Sequence, residues 1–137
     1  AVTAVGVNRV TPADACTFVP PEPPYEAIPV LVEAVPMGYA RDGTVRLLVL
    51  RAFKGDAPLI ARIVPLNSSC DISLDPDAHR WVLGLAPIPG GFRASVSMVI
   101  FAGPEAGRAY YDAVEPVYEA LGAGRAPRLP WGTWTRW

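Results

Sequence analysis

Asp71, Asp75, Asp77 and His79 fall within one short stretch, D-I-S-L-D-P-D-A-H. Carboxylate oxygens at near-alternate positions are ligands that calcium accepts, and an imidazole nitrogen would suit a transition metal. The spacing fits no metal motif, however, and Asp-Pro-Asp is ordinary turn chemistry. The expectation is a solvated loop, with no metal and no cofactor. His79 is the sole histidine, and Ser68, Ser69 and Asp71 lie close to it in sequence, so a hydrolase triad can be drawn. A nucleophile needs an oriented base and an oxyanion hole. No nucleophile elbow or Gly-rich loop supplies them, because Gly90-Gly91 sits between Pro89 and Phe92 as a plain turn. No residue is assigned a catalytic role, and a small hydrolase is the weakest of three functional readings.

Cys16 and Cys70 are the two cysteines, set in Pro-rich and polar loop sequence without C-x-x-C spacing. One long-range disulfide is the simplest reading, and two separate buried thiols are the alternative. A loop of that length closed by a disulfide stabilises by roughly 4 kcal/mol in the chain-entropy picture. Such a bond persists only in an oxidising compartment. Trp131, Trp134 and Trp137 recur at intervals of three near the end of the chain. They suit anchors for a partner or a membrane interface. The other reading is a tail folded back over the barrel or helix, since three free Trp would be an exposed apolar liability. Arg46, Arg51 and Arg62 could line a groove on an outer face, or form the wet side of partly exposed strands.

The chain that must position these groups has 137 residues, enough for one domain with a real core. Half of it is hydrophobic, at 51%, yet no apolar run approaches the length needed to span a bilayer. A net charge of −1 leaves no electrostatic footprint for nucleic acid. Lys54 is the lone lysine among the basic residues, and the arginines are scattered rather than clustered. The chain begins at Ala1 without a charged leader, which fits a mature secreted or cell-envelope form whose signal peptide has been removed.

Residues 44–55 (T-V-R-L-L-V-L-R-A-F-K-G) read as the central strand. Val45, Leu47, Val49 and Phe53 fall on one face, with Arg46, Leu48, Leu50 and Ala52 on the other. Before it, six prolines between positions 12 and 29 predict an extended, polyproline-like arm over residues 1–29. Residues 30–35 form the first strand, broken or bulged at Pro36-Met37-Gly38, and Arg41-Asp42-Gly43 is a hairpin turn. Residues 59–66, 79–86 and 93–101 are the third, fourth and fifth strands, and Gly84 within the fourth signals a kink or a close approach. The period then changes. Gly103 as N-cap and Pro104 at the first helical position open a helix. Its apolar stripe runs through Tyr110, Val114, Val117 and Leu121 to a stop at Gly122, with a kink or break at Pro116. Residues 30–122 thus make a barrel plus helix, and 123–137 a Trp-rich tail.

The order F-K-G at 53–55, S-S-C at 68–70 and W-V-L-G-L at 81–85 resembles netrin-like domains. That family includes the inhibitory domains of tissue inhibitors of metalloproteinases and bacterial secreted relatives. The resemblance implies a mainly β fold, a five-stranded Greek-key barrel of the oligonucleotide/oligosaccharide-binding type with one C-terminal amphipathic helix. It also implies the Cys16–Cys70 pairing. The family's C-x-C start is Cys16-Thr17-Phe18 here, and fifteen residues precede Cys16, so the zinc-chelating terminal amine of the metalloproteinase inhibitors is missing. The expected function is a noncatalytic protein-binding module presenting a ridge of Cys16, Thr17, Ser68, Ser69 and Cys70, with Trp131, Trp134 and Trp137 as further partner-binding candidates. Protease inhibition through the same ridge is the alternative.

Overall fold

A computed structural model of the chain describes residues 21–65, 72, 78–104 and 107–130. Cys16, Thr17, Ser68, Ser69, Cys70, Asp71, Asp75, Asp77 and the three tail tryptophans Trp131, Trp134 and Trp137 lie outside the described residues, and so does the proposed ridge.

The strands are β1 (Val30–Tyr39), β2 (Val45–Lys54), β3 (Ile60–Ile63), β4 (Arg80–Ile88), β5 (Gly91–Arg93) and β6 (Val99–Gly103), followed by helix α1 (Arg108–Leu121). Strand β1 pairs antiparallel with β2, and β2 with β3. Strand β3 meets β5 in parallel at Ile63 and Phe92, and Val64 N–H donates to Phe92 O at 2.8 Å beside that pair. Strands β5 and β1 both pair antiparallel with β4, which closes a five-stranded barrel. The mainly β barrel with one C-terminal helix is therefore the fold expected from the sequence.

The expected fifth strand is interrupted. Residues 91–93 bond to the far end of β4, a short 3₁₀ turn at Val96–Met98 intervenes, and β6 returns along the near end, from Arg80↔Gly103 to Leu83↔Val99. Strand β4 runs two residues past its expected end, through Pro87 to Ile88, and Gly91 begins β5, so the turn is Pro89-Gly90 rather than Gly90-Gly91. Strand β3 is likewise shorter than expected, and β1 continues through Pro36 to Tyr39 by way of irregular pairing at Pro36/Gly38. The Arg41-Asp42-Gly43 turn is as expected. Thr44 N–H donates to Asp42 Oδ1 at 2.9 Å, which holds that carboxyl below the usual carboxylate range.

Two cores result. Val32, Leu47, Val49, Leu83 and Leu85 fill the barrel, while Leu31, Phe53, Val82, Val114 and Val117 form a second layer between its outer wall and α1. Both faces of β1 and β4 are thus apolar, and each fully buried Leu adds about 2 kcal/mol of hydrophobic stabilisation.

Three local expectations are corrected. Residues 21–29 do not run extended: they make successive turns, with Tyr25 N–H donating to Glu22 O and Ile28 N–H to Tyr25 O. These turns insert Tyr25 and Ile28 into the second core, because burying two large apolar side chains outweighs the polyproline preference. Helix α1 starts at Arg108 with Gly107 as N-cap, not at Gly103. Gly103 is taken by β6, where ladder bonds to Arg80 and His79 satisfy its backbone. Finally, of the kink or break expected at Pro116 the break is excluded, because α1 runs on as one helix with Val114 and Val117 buried on either side.

Candidate functional site

Glu33 is the carboxylate in V-L-V-E-A-V, and it is 0% exposed. Alternation along β1 sends Val32 and Ala34 into the barrel, so Glu33 points outward beneath α1. A charge so placed requires compensation, and three elements supply it. From α1, the Tyr110 hydroxyl donates to Glu33 Oε2 at 2.7 Å. From β4, Arg80 Nη1 donates to the same oxygen. From β2, Arg51 Nε lies 3.2 Å from Glu33 Oε1, an ion pair without hydrogen-bond alignment.

Arg51 reaches that position through a bulge. The pairing steps from Ala34↔Val49 to Glu33↔Arg51, leaving Leu50 as an extra residue. Simple alternation from Val45, Leu47 and Val49 would have driven Arg51 into the barrel. The bulge reverses the phase, so Ala52 turns inward and Arg51 stands over Glu33. The same reversal moves Phe53 out of the barrel and into the second core, which corrects its expected face.

Aromatic rings hold both guanidinium groups. Arg51 Cζ lies 5.6 Å from the Phe53 ring centre and 5.5 Å from that of Tyr118, and its Nη1 also bonds the Tyr118 hydroxyl. Arg80 Cζ lies 6.0 Å from the Tyr110 ring. Such stacking contributes about 1 kcal/mol per pair where water is partly excluded. Burial, together with the hydrogen bond to Glu33 and its negative charge, pushes the Tyr110 phenol up to about 12. Tyr110 is therefore neutral at physiological pH and acts as a donor.

Above this network opens a cleft of about 690 Å³ between α1 and the barrel wall. Arg51 and Arg80 are its partly buried cations, with side chains 34% and 21% exposed. Tyr110 and Tyr118 line it from α1 with the exposed Tyr111, and Asp112 and Glu115 line it at exposed positions. The size lies in the range of small-ligand and peptide-side-chain sites. Arg80 Nε is buried and has no hydrogen-bond partner among the described residues.

Of the residues singled out by sequence, Arg51 is brought into this cleft. Arg46 and Arg62 face each other across β2 and β3 on the barrel's exposed side, and Arg62 Nη1 donates to Gly90 O at 3.0 Å. His79 is exposed, and its backbone N–H donates to Gly103 O. Sequence reasoning misses Glu33, Arg80, Tyr110 and Tyr118 as site residues. One signal was available: an acidic residue inside an otherwise apolar strand implies a buried cation partner.

Among the described residues no group of three or more metal-ligating side chains converges, and no helix is long and apolar enough to cross a membrane. No family model, no curated protein and no solved structure matches this chain.

Proposed function

We propose that this chain is a noncatalytic binding module whose recognition surface is the cleft between α1 and the barrel. The observation that carries the reading is the cleft's composition, two ring-stacked arginines among three tyrosines. Arg and Tyr are among the side chains most enriched at binding hot spots. Binding is favoured over turnover because Glu33, the buried carboxylate beneath the cleft, has Oε2 engaged by Tyr110 and Arg80 and Oε1 facing Arg51. A carboxylate so engaged is a poor general base. The partner is a protein, met in the secreted or cell-envelope compartment that a disulfide between Cys16 and Cys70 would call for. A netrin-like origin belongs to the same proposal, resting on the order of F-K-G, S-S-C and W-V-L-G-L in the sequence.

A photocrosslinking residue placed at Tyr111, which lines the cleft and is 62% exposed, tests this reading against the same probe at Met37, which is 49% exposed and not part of the cleft. Crosslinks to a partner protein from position 111 alone, competed by excess unmodified chain, support the cleft as the recognition surface. Equal crosslinking from both positions, or none from position 111, refutes it.

A further inference from the structure

Two guanidinium groups meet one buried carboxylate beneath the cleft, so this inner cluster carries an excess positive charge. Tyr110 bonds the helix to Glu33 and Arg80 pairs with the same carboxylate oxygen from within the barrel; Arg51 adds a second cation beside it, held on a bulge and between two rings and bonded to the Tyr118 hydroxyl. Arg80 Nε is a buried donor with nothing to accept from it among the described residues, the kind of group a ligand oxygen completes. Toward solvent the sign changes, because Asp112 and Glu115, three apart on α1, line the cleft at exposed positions.

Resting on the reading of the cleft as a recognition surface, we propose that it binds the carboxylate of a peptide ligand on Arg80 and Arg51, with a basic group of the same ligand beside Asp112 and Glu115. A planar monoanion matches both the guanidinium fork and the single excess charge. A phosphate dianion would over-compensate the inner cluster and be repelled by the two outer carboxylates. The tyrosine rings supply the apolar surface against which the peptide's flat amide units and aliphatic stems pack.

The experiment titrates the full chain, followed by amide and arginine side-chain NMR shifts, with acetyl-Lys-Ala-Ala as the free acid. The controls are its C-terminal amide, acetyl-Glu-Ala-Ala, and inorganic phosphate. The expected result is that the free acid shifts Arg51, Arg80 and Tyr111 resonances and binds about tenfold tighter than the amide, the worth of one charge-assisted pair. The Glu-containing peptide is expected to bind about threefold weaker than the Lys-containing one, a surface-charge effect that salt abolishes. Arg80→Gln is expected to abolish the acid–amide difference. Tyr111→Ala, at a largely exposed position, is expected to weaken the acid about threefold with the fold intact, as loss of a partly exposed ring contact would. Equal affinity for acid and amide, tighter binding of phosphate, or shifts confined to residues outside the cleft would overturn the proposal. If position 111 still crosslinks a protein while acid and amide bind alike, the carboxylate assignment fails and the recognition surface stands. Carboxylate binding without crosslinking would instead keep the carboxylate site and remove the protein partner.

Discussion

The hydroxyl of Tyr110 and the carboxylate of Glu33 meet at 2.7 Å across 77 positions of sequence, and through them the helix is bonded to the first strand of the barrel. Both partners are buried beneath the cleft, so water does not readily replace the bond when it is cut. Around it Arg51 and Arg80 turn a buried charge from a liability into a tie between four elements.

Replacing Tyr110 by Phe keeps the ring and removes the donor. A hydrogen bond to a charged acceptor is worth about 2 kcal/mol, so urea denaturation should show Tyr110→Phe less stable by that amount. An unchanged midpoint would mean that Glu33 is already satisfied by its arginines.

The Tyr110 phenol also sets an alkaline limit. In the unfolded chain tyrosine ionises near 10, whereas in the fold Tyr110 keeps its proton to about 12. Below the unfolded value both states are protonated and the contribution is constant. As pH climbs from there toward 12 the unfolded chain releases its proton first, so stability falls. Burial also raises the Tyr25 phenol, so spectrophotometric titration of Tyr110→Phe should lose one late-ionising tyrosine and keep that of Tyr25, and the alkaline loss of stability should lessen.

Arg80 and Arg51 should not be equivalent. Arg80 is hydrogen-bonded to Glu33, while Arg51 is only ion-paired with it and is the more exposed of the two. Arg80→Met, which leaves the buried carboxylate short of its aligned cation, should cost about 3 kcal/mol. Arg51→Met should cost about 1 kcal/mol, because its exposed charge is screened. Thermal melts that ranked the two the other way would falsify the geometry described for Glu33.

Gly84 tests how closely the N-terminal turns press on the barrel. A Cβ there would sit 2.8 Å from Ile28 Cγ2, so Gly84→Ala should destabilise by about 2 kcal/mol. In an Ile28→Ala background the same change should cost little. Simple additivity in the double-mutant cycle would show that the two do not touch.

Gly124 tests the segment after α1. Arg125 exchanges backbone bonds with Ala52, and Arg128 bonds to Ala57 and Leu59. Entry to this ladder needs φ of +77° at Gly124, where a Cβ would lie 2.6 Å from Ala52 O. Gly124→Ala should therefore speed hydrogen exchange at Ala52, Leu59, Arg125 and Arg128 while leaving the Leu47 and Val49 amides protected. Uniform acceleration across the barrel would contradict that local picture.

Much of the fold was legible in the residues. The Val- and Leu-rich runs, the Asp42-Gly43 turn and the stripe from Tyr110 to Val117 are short-range patterns, and short-range patterns fix strand, turn and helix. Gly84 was legible as a kink or a close backbone approach, whereas it is the Ile28 side chain that packs against it. The candidate site was legible only as Arg51 on an outer face. Its exposure, its ring contacts and its carboxylate depend on a one-residue bulge, which period-2 reasoning cannot see.

The sequence by itself determined that apolar β-strands would be followed by one amphipathic helix, because the spacing of apolar residues decides which faces are hidden from water. Only the tertiary structure decided which charges meet. Glu33, Arg51, Arg80 and Tyr110 come from four separate elements, and nothing local links them. Barrel closure and the bulge at Leu50 bring them together, and a buried carboxylate then holds them there, since leaving it unpaired beneath the helix would cost several kcal/mol.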